Sequence, residues 1–94
     1  MKLALGLDLY RGASIEMPID TIRHAESLGY HSVWTAEAYG CDALSPLAFI
    51  AAHTSRINIG TGVVQIAART PTATAMAAVT LDHLSQGRLI LGLG

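Results

Sequence analysis

Leu3, Leu5, Leu7 and Leu9 alternate with Ala4, Gly6 and Asp8, the period of two that a β-strand imposes when one face carries bulky residues and the other small ones. Over residues 18–28 the spacing becomes helical, with Ile19, Ile22, Ala25 and Leu28 on one stripe and Gly29 placed to end the helix. Residues 31–36 (HSVWTA) are short, β-branched and aromatic, which predicts a second strand followed by a polar loop over residues 37–45. Ser45-Pro46 then predicts a helix start, because Ser accepts a bond from free amides and Pro fits the first turn; this helix is expected to run to about Thr54. Residues 57–64 (INIGTGVV) are the third predicted strand. Thr70-Pro71 opens a third helix that closes at Gly87 after Leu84, and residues 88–93 are the fourth strand.

Strand starts recur about every 30 residues, close to the roughly 31 per unit expected if about 250 residues make eight βα units. The order βαβαβαβ requires a parallel sheet, because each helix must pack back onto the sheet it left. A doubly wound open sheet would carry a glycine-rich turn after its first strand, whereas Leu9, Tyr10 and Arg11 follow here, with Gly12 the nearest glycine. Gly92-Leu93-Gly94 is compatible with the start of a G-x-G turn, but so short a pattern is common by chance, and a Rossmann-type nucleotide binder needs further glycines soon after it. The expected architecture is α/β: residues 1–94 as one incomplete domain, the N-terminal half of a (β/α)8 barrel.

Composition removes several function classes. With 51% hydrophobic and 14% charged residues the chain is suited to a packed core, not to disorder. A formal charge of -1 offers no footprint for nucleic acid or an anionic membrane, so neither is expected as a partner. Cys41 is the sole cysteine, so no internal disulfide forms; with neither a Cys pair nor a close His pair, no metal site is expected. Asp8 interrupts the apolar start and no cleavage pattern follows it, and no apolar run reaches the roughly 18 residues of a membrane helix. A cytoplasmic location is expected.

Asp8, Glu37 and Gln65 fall at or just past the C-terminal ends of the first three strands, where a barrel collects its functional side chains. His24, His53 and His83 lie on predicted helices and His31 opens a strand, which assigns them surface or packing roles. Cys41 has neither an adjacent cation nor a helix start to activate its thiol. Arg69 is expected to contact a ligand or brace its loop, and Arg88 to pair with a carboxylate such as Asp82.

From Trp34 to Gly94 the chain resembles the luciferase-like monooxygenase superfamily, nearest to its coenzyme F420-dependent oxidoreductases. The motifs are Glu37-Ala38-Tyr39-Gly40, Gly60-Thr61-Gly62-Val63, Arg69-Thr70-Pro71, Thr80-Leu81-Asp82, Ser85-Gln86-Gly87-Arg88 and Leu91-Gly92-Leu93-Gly94, in the family's order and spacing. This resemblance implies a barrel of roughly 300 or more residues, of which this chain supplies the first four strands and three helices. It implies inactivity of the chain alone, since loops after strands seven and eight often hold phosphate groups. The implied cofactor is coenzyme F420, with FMN as the alternative. The implied chemistry is hydride transfer to or from a small organic substrate, or monooxygenation with a reductase partner in an FMN relative.

The resemblance further implies a non-proline cis peptide at Gly62-Val63, whose bulge presses on the middle ring of the cofactor while the branched Val63 offers a stiff apolar face. Asp8, Glu37, Thr61, Gly62 and Val63 are the implied cofactor-binding residues, and Glu37 the implied catalytic one. The competing readings are an ordinary bulge at Gly60 and Gly62, and a Glu37 carboxylate that is solvated or caps Tyr39-Gly40. Sugar-phosphate dehydrogenase relatives carry a catalytic His after the acid; Ala38 stands there, which excludes imidazole catalysis from that position. The alternative function is a non-enzymatic half-barrel whose first and fourth strands are exposed edges, forming a homo-oligomer or pairing with a C-terminal half.

Overall fold

In chain order the elements are β1 (Ala4–Gly6), β2 (Tyr10–Arg11), β3 (Ser14–Ile15), α1 (Ile19–Ser27), β4 (Ser32–Thr35), α2 (Leu44–His53), β5 (Asn58–Thr61), α3 (Pro71–Leu84) and β6 (Leu89–Ile90). The computed structural model describes residues 1–94 apart from Tyr39, and the backbone but not the side chain of Arg11, so the Tyr39 position of the Glu37-Ala38-Tyr39-Gly40 motif lies outside the described residues. Strands β1, β4, β5 and β6 form one parallel sheet in that order, the arrangement that the alternation of strands and helices requires.

Register explains the core. Leu5, Val33, Ile59 and Leu89 are cross-strand neighbours, and the fully buried Val33 and Ile59 join Ile22 of α1, Leu47 and Ile50 of α2 and Leu81 of α3 in one cluster. Each fully buried aliphatic side chain contributes about 1.5–3 kcal/mol, so this shared layer holds the helices against one face. The alternate row, Gly6, Trp34, Gly60 and Ile90, lines the other face, where the Trp34 ring fills the space a Gly60 side chain would need.

The first strand is shorter than the alternation over residues 3–9 predicts. Leu7 still donates its N–H to Trp34 at 2.9 Å, but Leu9 is buried beneath a hairpin that pairs Tyr10 with Ile15 and Arg11 with Ser14. Gly12 turns that hairpin at φ 65°, the backbone region that the first central residue of a tight II′ turn requires. Period-two spacing therefore continues past the sheet because a second, antiparallel ribbon takes it over.

Helix α1 ends at Gly29 as expected, and Thr70 caps α3 by accepting from the Ala73 N–H at 3.1 Å with Pro71 in the first turn. Helix α2 differs: it begins at Leu44, and the Asp42 carboxylate, not Ser45, accepts from the Leu44 and Ser45 amides at 2.9 and 2.7 Å. A carboxylate outcompetes a hydroxyl for a helix N-terminus because it also complements the dipole. Pro46 then occupies a first-turn position whose missing N–H costs nothing.

Arg88 is a second correction. Its guanidinium does not pair with Asp82; it donates to the carbonyl oxygens of Ala51, Thr54 and Ile57 and to the Thr54 hydroxyl, while its Nε donates to the Ser85 carbonyl. The end of α2 leaves carbonyls without helical partners, and a cation with five donors satisfies several at once. Asp82 instead accepts from the Leu89 N–H at 3.3 Å. At the same end of the sheet one oxygen of Glu26 accepts from three successive amides, Ser55, Arg56 and Ile57, at 2.9, 2.7 and 2.9 Å, fastening α1 to the turn before β5. Among the described residues no helix is long and apolar enough to cross a membrane, and no group of three or more His, Cys, Asp or Glu is placed to hold a metal ion.

Candidate functional site

Regular pairing of β5 with β6 stops at Gly60 and Ile90 and resumes only at a single bridge between Val64 and Leu93. Both predicted strands, residues 57–64 and 88–93, are thus interrupted near their C-terminal ends. The interruption is the Gly62-Val63 peptide, which is cis, as the family resemblance implies. On the β4 side the Gly62 N–H donates to the Thr35 carbonyl at 2.8 Å, and the Glu37 N–H donates to the Val63 carbonyl at 3.2 Å. On the β6 side Val64 donates to Gly92 at 2.9 Å, Gly94 to Val64 at 3.0 Å and Ile66 to Gly94 at 2.7 Å.

Beneath the bulge the Thr61 hydroxyl stands in for the missing ladder. It accepts from the Gly92 N–H and donates to the Gly92 carbonyl, both at 2.9 Å, and the residue is fully buried. Gly92 is required by this approach, because a Cβ there would lie 2.2 Å from the Thr61 carbonyl oxygen. Val63 is 37% exposed and its methyl groups pack beside Gly94. The top of the sheet therefore carries three glycines, Gly62, Gly92 and Gly94, around a partly exposed Val63, with Leu91 and Leu93 exposed on the neighbouring strand segment.

Glu37 follows β4, and its side chain is only 7% exposed. Its carboxylate accepts from the Ala43 N–H at 3.2 Å, from the Gln65 N–H at 2.8 Å, and from both terminal nitrogens of Arg69 in a fork-to-fork ion pair, with Nη1 at 3.0 Å. The Arg69 guanidinium holds the carboxyl down at a pKa of about 2; burial pushes the other way, and the Gln65 and Ala43 amides reinforce the lowering. At neutral pH the group is ionised and surrounded by donors, whereas a general acid or base works best with a pKa near the operating pH. Among the described residues its partners are Ala43, Gln65 and Arg69, so it is not freely solvated, and the Tyr39 half of the capping alternative lies outside those residues.

The structure brings Glu37, Thr61, Gly62 and Val63 to one rim. Asp8 lines an adjoining cavity of about 140 Å³ with Leu7, Leu9, Ala36 and Cys41, whereas Glu37 and Arg69 line another of about 240 Å³ with Asp42 and Gln65. Ala38, Gly40 and Cys41 border both cavities. Gln65 contributes its backbone N–H, with its residue exposed, and Arg69 braces the loop, one of its two expected roles. Sequence reasoning misses the Thr61–Gly92 link, because the signal is a register between two strands, not a local motif.

Residues 4–94 match the model of the luciferase-like monooxygenase family. The chain is 51% identical over its full length to a Mycobacterium tuberculosis protein whose name provisionally places it among coenzyme F420-dependent oxidoreductases, and it covers 27% of that protein. It is 37% identical over 87 residues to limonene 1,2-monooxygenase of Rhodococcus erythropolis, matching 86% of this chain and 22% of the enzyme. Among solved structures, the coenzyme F420-dependent tetrahydromethanopterin reductase of Methanopyrus kandleri superposes with a TM-score of 0.80 at 28% identity, over 99% of this chain and 26% of the reductase. The chain thus spans about a quarter of the length of these relatives, and its fold is the N-terminal half of their barrel.

Proposed function

Because the chain belongs to the luciferase-like monooxygenase family, we propose that residues 1–94 are the N-terminal part of an oxidoreductase barrel that binds coenzyme F420, or alternatively FMN, and serves hydride transfer with a small organic substrate. The observation that carries this reading is the projection of Val63 from a wall formed by Gly62, Gly92 and Gly94 at the C-terminal ends of the strands. A flat conjugated ring needs an apolar face that backbone can approach closely, and a glycine-rich wall carrying the stiff, branched Val63 fits it. Gly62 and Val63 would hold the ring, Thr61 would support them from below, and Glu37 would sit at the rim; Asp8 would approach from the adjoining cavity.

When bound, the deazaflavin or flavin supplies the hydride-carrying chemistry, and the protein supplies orientation and exclusion of water. In this chain Val63 would shield one ring face, the Thr61–Gly92 pair would support the wall behind it, and the neutralised Glu37–Arg69 pair would avoid placing a net charge beside it. Barrels often hold phosphate groups in the loops after strands seven and eight, so the chain alone is proposed to be inactive and weak in binding.

The test is a chimera in which this chain replaces the matching 27% of the Mycobacterium tuberculosis relative. The chimera is expected to bind coenzyme F420 or FMN with a change in cofactor fluorescence, and Val63→Asp to abolish that change. A folded chimera that binds neither cofactor contradicts the reading. A second reading rests on the sheet edges: β1 and β6 have no neighbour beyond them among the described strands, and Leu3, Leu91 and Leu93 are exposed near them. Unpaired edges recruit further strands, so a homo-oligomer of half-barrels would elute above the monomer mass in size exclusion.

A further inference from the structure

We infer that Glu37 is a positioning residue and not a proton carrier: together with Arg69 it ties the loop after β4 to the segment after β5 and so fixes the setting of Val63. The inference rests on the proposed function only for what Val63 meets. One residue grips both ends of the Val63–Gln65 stretch, since the Glu37 N–H binds the Val63 carbonyl at 3.2 Å while its carboxylate binds the Gln65 N–H at 2.8 Å. Arg69 closes the loop from the far side with two donors on the same carboxylate. Ala43, next to the start of α2, adds a third anchor, so the strand, the helix and the loop converge on one anion. The β6 side is held independently by the Val64, Gly92 and Gly94 ladder bonds; toward β4 the Gly62 N–H bond to the Thr35 carbonyl holds the residue before Val63, and Glu37 fastens Val63 itself and the residues that follow it.

Both carboxylate oxygens are committed, and every partner among the described residues is a donor. A protonated Glu37 would set an O–H against donors, and a proton acceptor would have to release Arg69 first. Among the described residues the titratable and charged groups bordering this cavity beside Glu37 are Arg69, Asp42 and Cys41; Asp42 faces the helix amides and lies close enough to favour the charged form of Arg69.

The test uses the 94-residue chain and NMR. The side-chain carboxyl signal of Glu37 is expected to remain that of the ionised form down to about pH 3, whereas a midpoint in or above the ordinary carboxylate range of roughly 4 to 4.5 overturns the inference. Glu37→Gln and Arg69→Met are each expected to speed amide exchange at Gln65 by about tenfold or more, with the double variant no faster than either single one. Arg69→Lys should restore part of the protection, because a single ammonium keeps the charge and loses the fork. Unchanged exchange, or effects of the two substitutions that multiply, overturns the inference. If the variants do not fold, the wild-type titration decides alone. FMN added as a probe separates the two levels: no response at Val63 with the first two results intact removes the cofactor reading and leaves the brace standing.

Discussion

The Thr61 hydroxyl and the Gly92 backbone hold each other twice, as donor to its carbonyl and as acceptor from its N–H, both at 2.9 Å, where the β5–β6 ladder is broken. A buried hydroxyl with both roles in use is worth more than its methyl group. Thr61→Val keeps the shape and strands the Gly92 N–H, which costs about 1–3 kcal/mol. Thr61→Ser keeps both bonds and loses one methyl, about 0.8 kcal/mol. Urea unfolding should place the serine variant closer to wild type; equal losses would contradict the double bond.

Gly92 and Gly94 look equivalent in sequence and are not equivalent in space. A Cβ on Gly92 meets a backbone oxygen at 2.2 Å, whereas one on Gly94 meets a Val63 methyl at 2.9 Å, which can rotate away. Gly92→Ala is therefore expected to lose about 3 kcal/mol or more, and Gly94→Ala about 1 kcal/mol. Thermal unfolding followed by circular dichroism ranks them, and a reversed order would contradict the close approach.

Arg88 supplies partners for the Ala51 and Thr54 carbonyls at the end of α2 and for the Ile57 carbonyl just before β5. Removing it by Arg88→Met leaves several acceptors unpaired and is expected to cost about 3 kcal/mol. Arg88→Lys should recover less than half of that, because an ammonium cannot span acceptors on both α2 and the turn before β5. Asp82→Asn should cost well under the arginine change; a loss as large would restore the ion pair that the sequence suggested.

Acid should weaken the fold through Glu26 and Glu37, whose carboxyls both titrate below the usual range in the folded chain. For Glu26 burial opposes the lowering, and the Ile57, Arg56 and Ser55 amides together outweigh it. The unfolded chain binds protons first, so the stabilisation is fully present above pH 4.5 and is lost as pH falls toward the folded value, about 2 for Glu37. Urea midpoints between pH 6 and about pH 3 should fall steadily, and Glu37→Gln should flatten the lower part of that slope. A slope unchanged in the variant would contradict the assignment.

The layout of strands and helices is legible in the sequence because its signals are local. Period two at Leu3 to Leu9, the Thr70 cap and Gly29 each act within a few residues. What escapes is set by distant partners: Asp42 displaces Ser45 at α2, Arg88 finds carbonyls instead of Asp82, and the alternation at Leu9 passes into the hairpin turned by Gly12. The candidate site divides the same way. Gly62 and Val63 are marked by motif, whereas the Glu37–Arg69 fork and the Thr61–Gly92 exchange depend on loops 32 and 31 residues apart in sequence.

The central claim is that Val63 and its glycine wall face the cofactor ring. Methyl-labelled Val63 should be followed by NMR while coenzyme F420 or FMN is added to the chain up to about millimolar concentration, where weak binding is visible. The expected result is a saturable shift of the Val63 methyls, accompanied by Gly62 and Gly94 amides and absent from the groove that Leu44 and Ala48 of α2 form with Ala77 and Leu84 of α3. Shifts confined to that groove or to the Asp8 cavity, or no shift at Val63 at all, would contradict it.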